Sequence, residues 1–237
     1  MKIAFSFQSN LLSKATYGAR TLRRNITLAT VAVTLAALIP VAARAEPVTI
    51  VALGDSLTAG YGLPEGEGFV PQLQSWLTAQ GADATVINAG VSGDTTAGGL
   101  SRLDWSLTPE TDALIVTLGG NDLLRGLPPS ETRKNLDAIV KSATERGLDV
   151  LVIPMQAPGN YGPEYKTAFD SLYPEIATAH GARLAVPFFA PLAPDATNLA
   201  DLTPWMQPDG IHPNKDGVAK IVATLGPAVL ELAMSTE

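Results

Sequence analysis

The stretch VTIVALGDSLTAGYG, from Val48 to Gly62, decides the fold and displays a serine. Its first part, Val48 to Leu53, is an apolar run of strand length that is rich in β-branched residues, and the glycines that follow favour an open turn. We therefore expect Ser56 to lie just past the carboxyl end of a strand, where open α/β sheets bind ligands. A serine in that place is a candidate nucleophile. In the alternative interpretation, Asp55 and Ser56 only satisfy backbone groups in a strand-to-loop turn.

The first 45 residues differ from the rest, because they hold six basic residues and no acidic one. A basic start leads into the apolar run Ile26–Ala43, and Ala43-Arg44-Ala45 supplies the small residues of an A-x-A cleavage signal. We predict a secretory signal peptide over residues 1–45, cleaved before Glu46, and hence a periplasmic or secreted protein. The alternative is an uncleaved membrane anchor, which the A-x-A end disfavours. Arg23-Arg24 matches only a fragment of a twin-arginine signal, so the export route stays open.

The remaining residues, 46–237, are enough for one domain with a full core and too few for two comfortable ones. Loss of the six basic residues takes the net charge from −7 to −13. This charge disfavours nucleic acid and anionic membrane surfaces as partners. The chain has no cysteine, which excludes disulfides, thiolate metal sites and a cysteine nucleophile. We expect no second apolar run after the first 45 residues, and hence no stable membrane insertion after cleavage.

Beyond Val48–Leu53, strand-like and helix-like segments alternate along the chain. Apolar strands without polar alternation indicate a parallel sheet with helices on both faces. We expect one helix over Ala97–Leu107, another opened by Ser130 with Glu131 behind it, and a long connection over residues 189–208 that serves a function. The other predicted strands are Ala84–Asn88, Ala113–Leu118, Val150–Pro154 and Arg183–Phe188, and the other predicted helices are Phe69–Gln80, Glu164–His180 and Asp216–Ala233.

The chain has two histidines, which narrows the choice of a general base. His180 ends a predicted helix before Gly181, where a histidine usually caps carbonyl groups. His212 lies in DGIHPN, three residues after Asp209, and a turn with this spacing can bring the carboxylate to one imidazole nitrogen. The other nitrogen is then free to accept a proton from Ser56. In the alternative interpretation, Asp209 or Asn214 caps the last helix and His212 has no chemical role.

Two further loops follow predicted strands and offer hydrogen-bond donors for an oxyanion. The first, NAGVSGDTTAGG over Asn88–Gly99, contains Gly93, whose amide can approach a ligand without hindrance from a β-carbon. The second, GGNDLLRG over Gly119–Gly126, contains Asn121, whose side-chain amide is a neutral donor. In the alternative interpretation of each loop by itself, Gly93 serves a turn and Asn121 caps a helix, and neither binds an oxyanion. Four such elements at the same edge of a sheet are less easily ascribed to chance.

These four blocks resemble those of the SGNH (GDSL) hydrolases, whose Ser, Gly, Asn and His correspond here to Ser56, Gly93, Asn121 and His212. The resemblance covers essentially all of residues 46–237. It extends to NYG at Asn160–Gly162, FDSLYP at Phe169–Pro174, PFF at Pro187–Phe189 and WMQPDGIHPN at Trp205–Asn214. The similarity is greatest to the bacterial periplasmic branch with thioesterase, arylesterase and lysophospholipase activities.

The resemblance implies a flavodoxin-like three-layer sandwich with a five-stranded parallel sheet, the SGNH hydrolase fold. It also implies Ser56 as nucleophile, His212 as general base and acid, and Asp209 as its orienting partner. The implied oxyanion hole consists of the amides of Ser56 and Gly93 and the side chain of Asn121. The implied substrates are small-molecule carboxylic esters and thioesters. No metal or organic cofactor is required, because these groups complete the chemistry, and we expect a monomer.

Candidate substrate-binding residues lie near these blocks. The segment 123–128 resembles a mobile loop of this branch, and its Leu123, Leu124 and Leu127 either contact an acyl chain or only pack the loop. Asp55 and Asn160 complete the candidate set. Residues 189–204 (FAPLAPDATNLADLTP) are longer than the equivalent stretch, which puts the acyl-chain preference in doubt.

Three other functions are compatible with parts of this sequence. A carbohydrate O-acetylesterase on the same fold needs a small polar pocket, and the three leucines argue against one. A non-catalytic binding module has no need for Ser56, Asp209 and His212 together. A nucleotide or flavin module is suggested by the sheet alone, but no P-loop or G-x-G-x-x-G follows the first strand.

Overall fold

The fold was analysed in a computed structural model, which describes residues 46–192 and 199–236. The signal peptide predicted over residues 1–45 lies outside the described residues. The strands are β1 (Val48–Gly54), β2 (Ala84–Gly90), β3 (Ala113–Thr117), β4 (Asp149–Val152) and β5 (Arg183–Leu184). The helices are α1 (Ser56–Ala59), α2 (Phe69–Ala79), α3 (Thr96–Ser101), α4 (Leu103–Ser106), α5 (Gly120–Leu124), α6 (Pro129–Glu145), α7 (Pro163–His180) and α8 (Lys215–Ser235). Three 3₁₀ segments span Gly159–Tyr161, Ala190–Leu192 and Leu199–Trp205.

The strands form one parallel sheet in the order β2-β1-β3-β4-β5, which is the flavodoxin-like order. The chain order reverses at β1, so β1 lies between β2 and β3. In the register of the sheet, Gly54 at the end of β1 pairs with Gly90 of β2 and Thr117 of β3. The loops after these three strands therefore leave the sheet side by side. They are the loops that carry Ser56, Gly93 and Asn121, and the predicted α/β sandwich is confirmed.

Helices pack in two groups around the sheet. Helix α2 packs on α8, while α6 packs on both α3 and α7. Strand β4 contacts α6 and also α8, one helix from each group, as expected for a strand covered on both faces. Buried aromatic rings fill the core on the two sides, and the largest fully buried ones belong to Phe69, Phe169, Tyr173 and Phe188.

Burial on both faces is confirmed for the central strands and is wrong for the edge strands. Every residue of β3 is buried, and β1 is buried except for Thr49. In contrast, β2 alternates buried and exposed residues in its first half, and both residues of β5 are exposed. Strand β5 is also much shorter than the predicted Arg183–Phe188, because its pairing with β4 extends only to Leu184.

Two predicted helices differ from those observed. The segment predicted as Ala97–Leu107 is broken into α3 and α4 at Arg102, whose guanidinium group bonds to backbone carbonyls outside the helix. The prediction that Ser130 opens the next helix was wrong, because α6 begins at Pro129 and its N-cap residue is Pro128. Proline suits the first helical position, since its φ angle is already helical and it needs no N–H partner there.

The expectation that no second apolar run follows the first 45 residues was wrong, because helix α8 is long and apolar enough by composition to cross a membrane. It is the only such helix among the described residues. Half of the apolar stretch of this helix is buried inside the fold. Its residues Val218, Ile221, Leu225 and Val229 belong to the core. A buried core helix satisfies the same length and hydropathy criteria as a membrane span. We therefore interpret α8 as a core helix that covers one side of the sheet.

Candidate active site

Ser56 is the first residue of α1, immediately past the end of β1. The preceding residue, Asp55, is the N-cap of this short helix, and its Oδ1 accepts a hydrogen bond of 3.0 Å from the Leu57 amide. Gly60 ends the helix in the left-handed conformation, with φ of 82°. The prediction that Ser56 lies just past the carboxyl end of a strand is confirmed, whereas the short helix α1 that begins at Ser56 was not predicted.

Close packing around this turn depends on a missing β-carbon in β2. A β-carbon on Gly90 would lie 2.3 Å from the backbone nitrogen of Ala59, a distance that requires the backbone to move. Glycine at position 90 therefore lets the last turn of α1 lie directly against the end of β2. This contact fixes the position of α1, and with it Ser56, relative to the sheet.

The structure brings Ser56, His212 and Asp209 into one hydrogen-bonded chain. The distance from His212 Nε2 to Ser56 Oγ is 2.8 Å, and that from His212 Nδ1 to Asp209 Oδ2 is 2.7 Å. A carboxylate accepts hydrogen bonds only, so Asp209 favours the tautomer with the proton on Nδ1. Nε2 is then the acceptor for the Ser56 hydroxyl proton.

Asp209 is itself held by the turn that carries His212. Its Oδ1 accepts hydrogen bonds from the backbone amides of Ile211 and His212, at 2.9 and 3.0 Å. The side-chain hydrogen bond from His212 is the largest cause that lowers the pKa of Asp209 to about 2, and these amides lower it further. Asp209 therefore stays ionised across the neutral range and keeps the imidazole ring oriented.

The two interpretations of DGIHPN each contain a contact that the structure shows: Asp209 reaches the imidazole of His212, and Asn214 caps the last helix. Asn214 is the N-cap of α8 and accepts a hydrogen bond of 2.9 Å from the Gly217 amide. Asp209 orients His212 and does not cap the helix.

Gln207, which sequence reasoning missed, fastens this turn to the loop after α1. Its Nε2 donates to the carbonyl groups of Tyr61 and Pro213, at 2.9 and 3.0 Å. The ring of Tyr61 lies against His212, with the two ring centroids 4.8 Å apart. These contacts join the serine side and the histidine side of the site across 146 residues of sequence. The only signal available beforehand was the position of Gln207 within WMQPDGIHPN.

The loop that carries Gly93 is fixed by two arginines that the sequence did not single out. Arg102 bonds to Asp94 at 2.6 Å, to the Ala89 carbonyl and to the Gly54 carbonyl, the last two both at 2.8 Å. Arg125, on the neighbouring loop, donates from Nη2 to the Gly93 carbonyl at 2.8 Å. Gly93 has φ of 86°, a conformation that favours glycine, and its amide has no acceptor among the described residues.

Asn121 lies in the first turn of α5 and faces Asp55. Its Nδ2 donates to Asp55 Oδ2 at 3.2 Å, and the described residues provide no second acceptor for this nitrogen. Asp55 is 2% exposed. Burial raises the pKa of Asp55 to about 6, and the hydrogen bonds from Leu57 and Asn121 oppose this shift only in part.

A cavity of about 230 Å³ opens beside the serine and the histidine. Its wall is mainly apolar and includes Ser56, Asn121 and His212. The lining residues are Asp55, Ser56, Leu57, Gly120, Asn121, Leu123, Leu124, Met155, Gln156, Pro158, Phe189, Leu202, Met206, Gly210, Ile211 and His212. The site thus combines a hydrogen-bonded serine and histidine with an apolar cavity. An apolar cavity with a few polar groups is typical of sites that bind small ligands.

The cavity supports some of the predicted substrate-binding residues and not others. Leu123 and Leu124 are part of its wall, whereas Leu127, Asn160 and Gly93 are not. The Leu127 carbonyl accepts a hydrogen bond of 2.9 Å from the Tyr165 hydroxyl, which holds that end of the loop against α7. Asn160 is exposed in the 3₁₀ segment Gly159–Tyr161. Asp55 does line the cavity, but both of its oxygens are already bonded.

His180 has a structural role, although not with the partner that was expected. Its Nε2 lies 2.7 Å from Asp137 Oδ1 on α6, whereas the sequence suggested that it caps backbone carbonyls. This contact ties the end of α7 to α6. The residues the structure describes contain no group of three or more His, Cys, Asp or Glu side chains that could hold a metal ion.

Comparisons with known proteins identify the family of this chain. Residues 52–220 match the model of the GDSL-like lipase/acylhydrolase family. The chain is 38% identical to esterase TesA of Pseudomonas aeruginosa over 197 residues, which cover 83% of this chain and 94% of that protein. It is 37% identical to thioesterase 1/protease 1/lysophospholipase L1 of Escherichia coli K12 over 170 residues, covering 71% of this chain and 76% of that protein.

A solved structure shows the same fold. The psychrotrophic esterase EstA from Pseudoalteromonas sp., in a form inhibited by monoethylphosphonate, matches with a TM-score of 0.70 and 35% identity. The match covers 77% of this chain and 97% of that one. On this evidence the chain belongs to the GDSL-like lipase/acylhydrolase family and is an esterase of the SGNH hydrolase fold.

Proposed function

We propose that this protein hydrolyses carboxylic esters and thioesters through an acyl-enzyme on Ser56. The observation that carries the proposal is the hydrogen-bonded chain from Ser56 through His212 to Asp209, at the wall of an apolar cavity. The names of the relatives, esterase and thioesterase, favour the same chemistry. We propose arylesters and lysophospholipids as further substrates, because both join an acyl group to oxygen through the same kind of bond.

The reaction starts when Ser56 Oγ attacks the acyl carbonyl carbon while its proton moves to His212 Nε2. The negative charge that develops on the carbonyl oxygen is stabilised by hydrogen-bond donors. We assign these donors to the first-turn amide of Ser56, the Gly93 amide and Asn121 Nδ2. Collapse of the tetrahedral intermediate breaks the bond to the alcohol or thiol, which takes the proton from His212. Water then repeats the sequence on the acyl-enzyme and releases the acid.

Asp209 orients His212 and does not itself accept the proton that Ser56 gives up. As a carboxylate with a pKa of about 2, it remains charged and stabilises the imidazolium that forms when His212 is protonated. The two amides bonded to its other oxygen keep it in place during the cycle. The proposed mechanism needs no metal or organic cofactor.

An active-site phosphonate tests the proposal directly. We expect wild-type protein to be labelled on Ser56, and Ser56→Ala to escape labelling and to lose about 10⁴-fold or more in kcat, since a residue of the triad is removed. Ser171→Ala on α7, whose hydroxyl bonds only to groups of its own helix, provides the matched control and should keep its activity. Unlabelled wild type, or equal labelling of Ser56→Ala, would mean that this is not a serine hydrolase acting through Ser56.

We also propose that residues 1–45 direct export and are removed before Glu46, so that the domain over residues 46–237 acts as a monomer in the periplasm or outside the cell. The basic start, the apolar run and the A-x-A end support this proposal.

A further inference from the structure

Asp55 is a buried carboxylate that the triad mechanism does not use. Its two oxygens are committed to different partners: Oδ1 to the Leu57 amide of α1 at 3.0 Å and Oδ2 to Asn121 Nδ2 of α5 at 3.2 Å. The residue is 2% exposed. A charged group in such a place is costly unless its hydrogen bonds compensate. Helix capping alone does not explain it, because serine or asparagine caps equally well without a charge.

The bond to Asn121 determines which end of that amide faces Asp55. A carboxylate can only accept, so the NH₂ group of Asn121 must turn towards Asp55 and its carbonyl oxygen must turn away. Nδ2 carries two hydrogens and has one acceptor among the described residues. The second hydrogen is therefore available to a ligand in the cavity, whose wall includes Asn121.

The packing around this contact leaves little freedom. Gly120 precedes Asn121, and a β-carbon there would lie 3.2 Å from Asp55 Oδ2, which is closer than most β-carbon contacts, so α5 packs tightly against the carboxylate. If Asp55 is absent, the amide of Asn121 can rotate and present its oxygen to the cavity. A carbonyl oxygen facing a developing oxyanion repels it.

We propose that Asp55 is a positioning residue, which acts through Asn121 by holding its NH₂ group where the oxyanion forms. This role replaces the substrate contact that the sequence suggested for Asp55. It deepens the proposed function and rests on it, because it presupposes that an oxyanion forms beside Ser56. Asp55 itself need not touch the substrate.

Two substitutions separate positioning from helix capping. Asp55→Ser keeps a side-chain oxygen that can cap α1 but is too short to reach Asn121, whereas Asp55→Ala removes both bonds. If Asp55 acts by positioning, both variants should lose kcat for p-nitrophenyl butyrate by about 10- to 100-fold, with KM changed less than about 3-fold. This loss of kcat is smaller than the 10²- to 10³-fold loss expected when an oxyanion donor is removed entirely. If capping is its only role, Asp55→Ser should retain nearly full activity.

A double-mutant cycle with Asn121→Ala shows whether the effect passes through Asn121. Once the amide is gone, Asp55→Ser should lower kcat by less than about 3-fold further, because the two residues then act as one unit. Equal losses in both backgrounds would overturn the proposal, as would wild-type kcat for Asp55→Ser. Thermal unfolding of each variant verifies that it is folded. Ser56→Ala, measured alongside, reports on the proposed function separately, since an active Ser56→Ala protein refutes that function whatever the cycle gives.

Discussion

Two carboxylates beside the same histidine have pKa values shifted in opposite directions. The pKa of Asp209 is lowered to about 2, chiefly by the hydrogen bond from His212. The pKa of Asp55 is raised to about 6 by burial. Both carboxylates are ionised at neutral pH, but only Asp209 remains ionised at pH 4 to 5, because its pKa is about 2. Neighbouring carboxylates with separated pKa values commonly have different tasks in a site. Here the difference agrees with an orienting role for Asp209 and a positioning role for Asp55.

The raised pKa of Asp55 predicts that this residue makes the protein less stable as the pH rises. Because the folded-state pKa of about 6 exceeds the ordinary aspartate pKa of 3.8, the folded state binds more protons between these pH values than the unfolded state does. The free energy of unfolding therefore falls as the pH rises through this window. Asparagine does not titrate, so Asp55→Asn lacks this loss of stability. The difference in free energy of unfolding between Asp55→Asn and wild type should therefore shift by roughly 2 kcal/mol in favour of the variant from pH 4 to pH 7.

Urea unfolding of both proteins at a series of pH values measures this difference. The comparison uses the change with pH and not the absolute stability, since asparagine at position 55 also disturbs one of the two hydrogen bonds. A difference between the two proteins that stays constant from pH 4 to pH 7 would contradict the predicted pKa shift.

At the scale of elements, three helices meet at the buried carboxylate of Asp122, next to Asn121. Asp122 on α5 accepts hydrogen bonds from the Thr96 amide at 2.8 Å, the Thr96 hydroxyl at 2.5 Å and the Thr132 hydroxyl at 3.3 Å. These residues belong to α5, α3 and α6, and all three are buried. The carboxylate thus fixes α5, which carries Asn121, to the first turns of the two other helices.

Removal of this carboxylate should be costly to the fold. Asp122→Ala leaves three buried donors without an acceptor, so we expect the free energy of unfolding to fall by about 2–4 kcal/mol. Glu145→Ala, which removes an exposed ion pair with Lys141 on α6, should cost less than about 0.5 kcal/mol. Chemical denaturation compares the two variants. If Asp122→Ala is no more destabilised than Glu145→Ala, Asp122 does not hold the three helices together.

The sequence predicted the elements whose signals are local. The apolar run before Ser56 indicates a strand, and the spacing of three between Asp209 and His212 places both in one turn. Connections between distant segments carry no such signal. Arg102 reaches the Gly54 carbonyl 48 residues away, and no periodicity or motif marks that contact. The break between α3 and α4 at Arg102 was also missed.

At the scale of the whole molecule, the sheet order could be anticipated only through the resemblance to a family. Alternating strands and helices indicate a parallel sheet, but they do not say that β1 lies between β2 and β3. That order is what brings Ser56, Gly93 and Asn121 to one edge, and α8 follows the turn that completes the site. Candidate site residues from the four blocks could therefore be named before the fold was known. Met155 of the cavity wall could not, whereas Phe189 and Leu202 lie in the segment 189–204 that the sequence had already connected with acyl-chain preference.

The apolar cavity predicts how activity depends on the acyl chain. Leu123, Leu124 and Ile211 line the same cavity as Ser56, and each methylene transferred from water to such an apolar surface contributes about 0.8 kcal/mol. If that energy is realised in the transition state, kcat/KM for p-nitrophenyl esters should rise about 3- to 4-fold per methylene from acetate until the cavity is filled. Leu124→Ser should flatten this rise and leave the value for acetate within about 2-fold of wild type.

Trp105→Ser provides the matched control, because Trp105 is 89% exposed and lies outside the cavity wall. Its chain-length profile should coincide with that of wild type. A profile that peaks sharply at acetate would contradict the acyl-binding role of the cavity and favour an O-acetylesterase. A rise that is equally steep in wild type and in Leu124→Ser would place the acyl chain against another part of the wall, with Phe189 and Leu202 as the next residues to change.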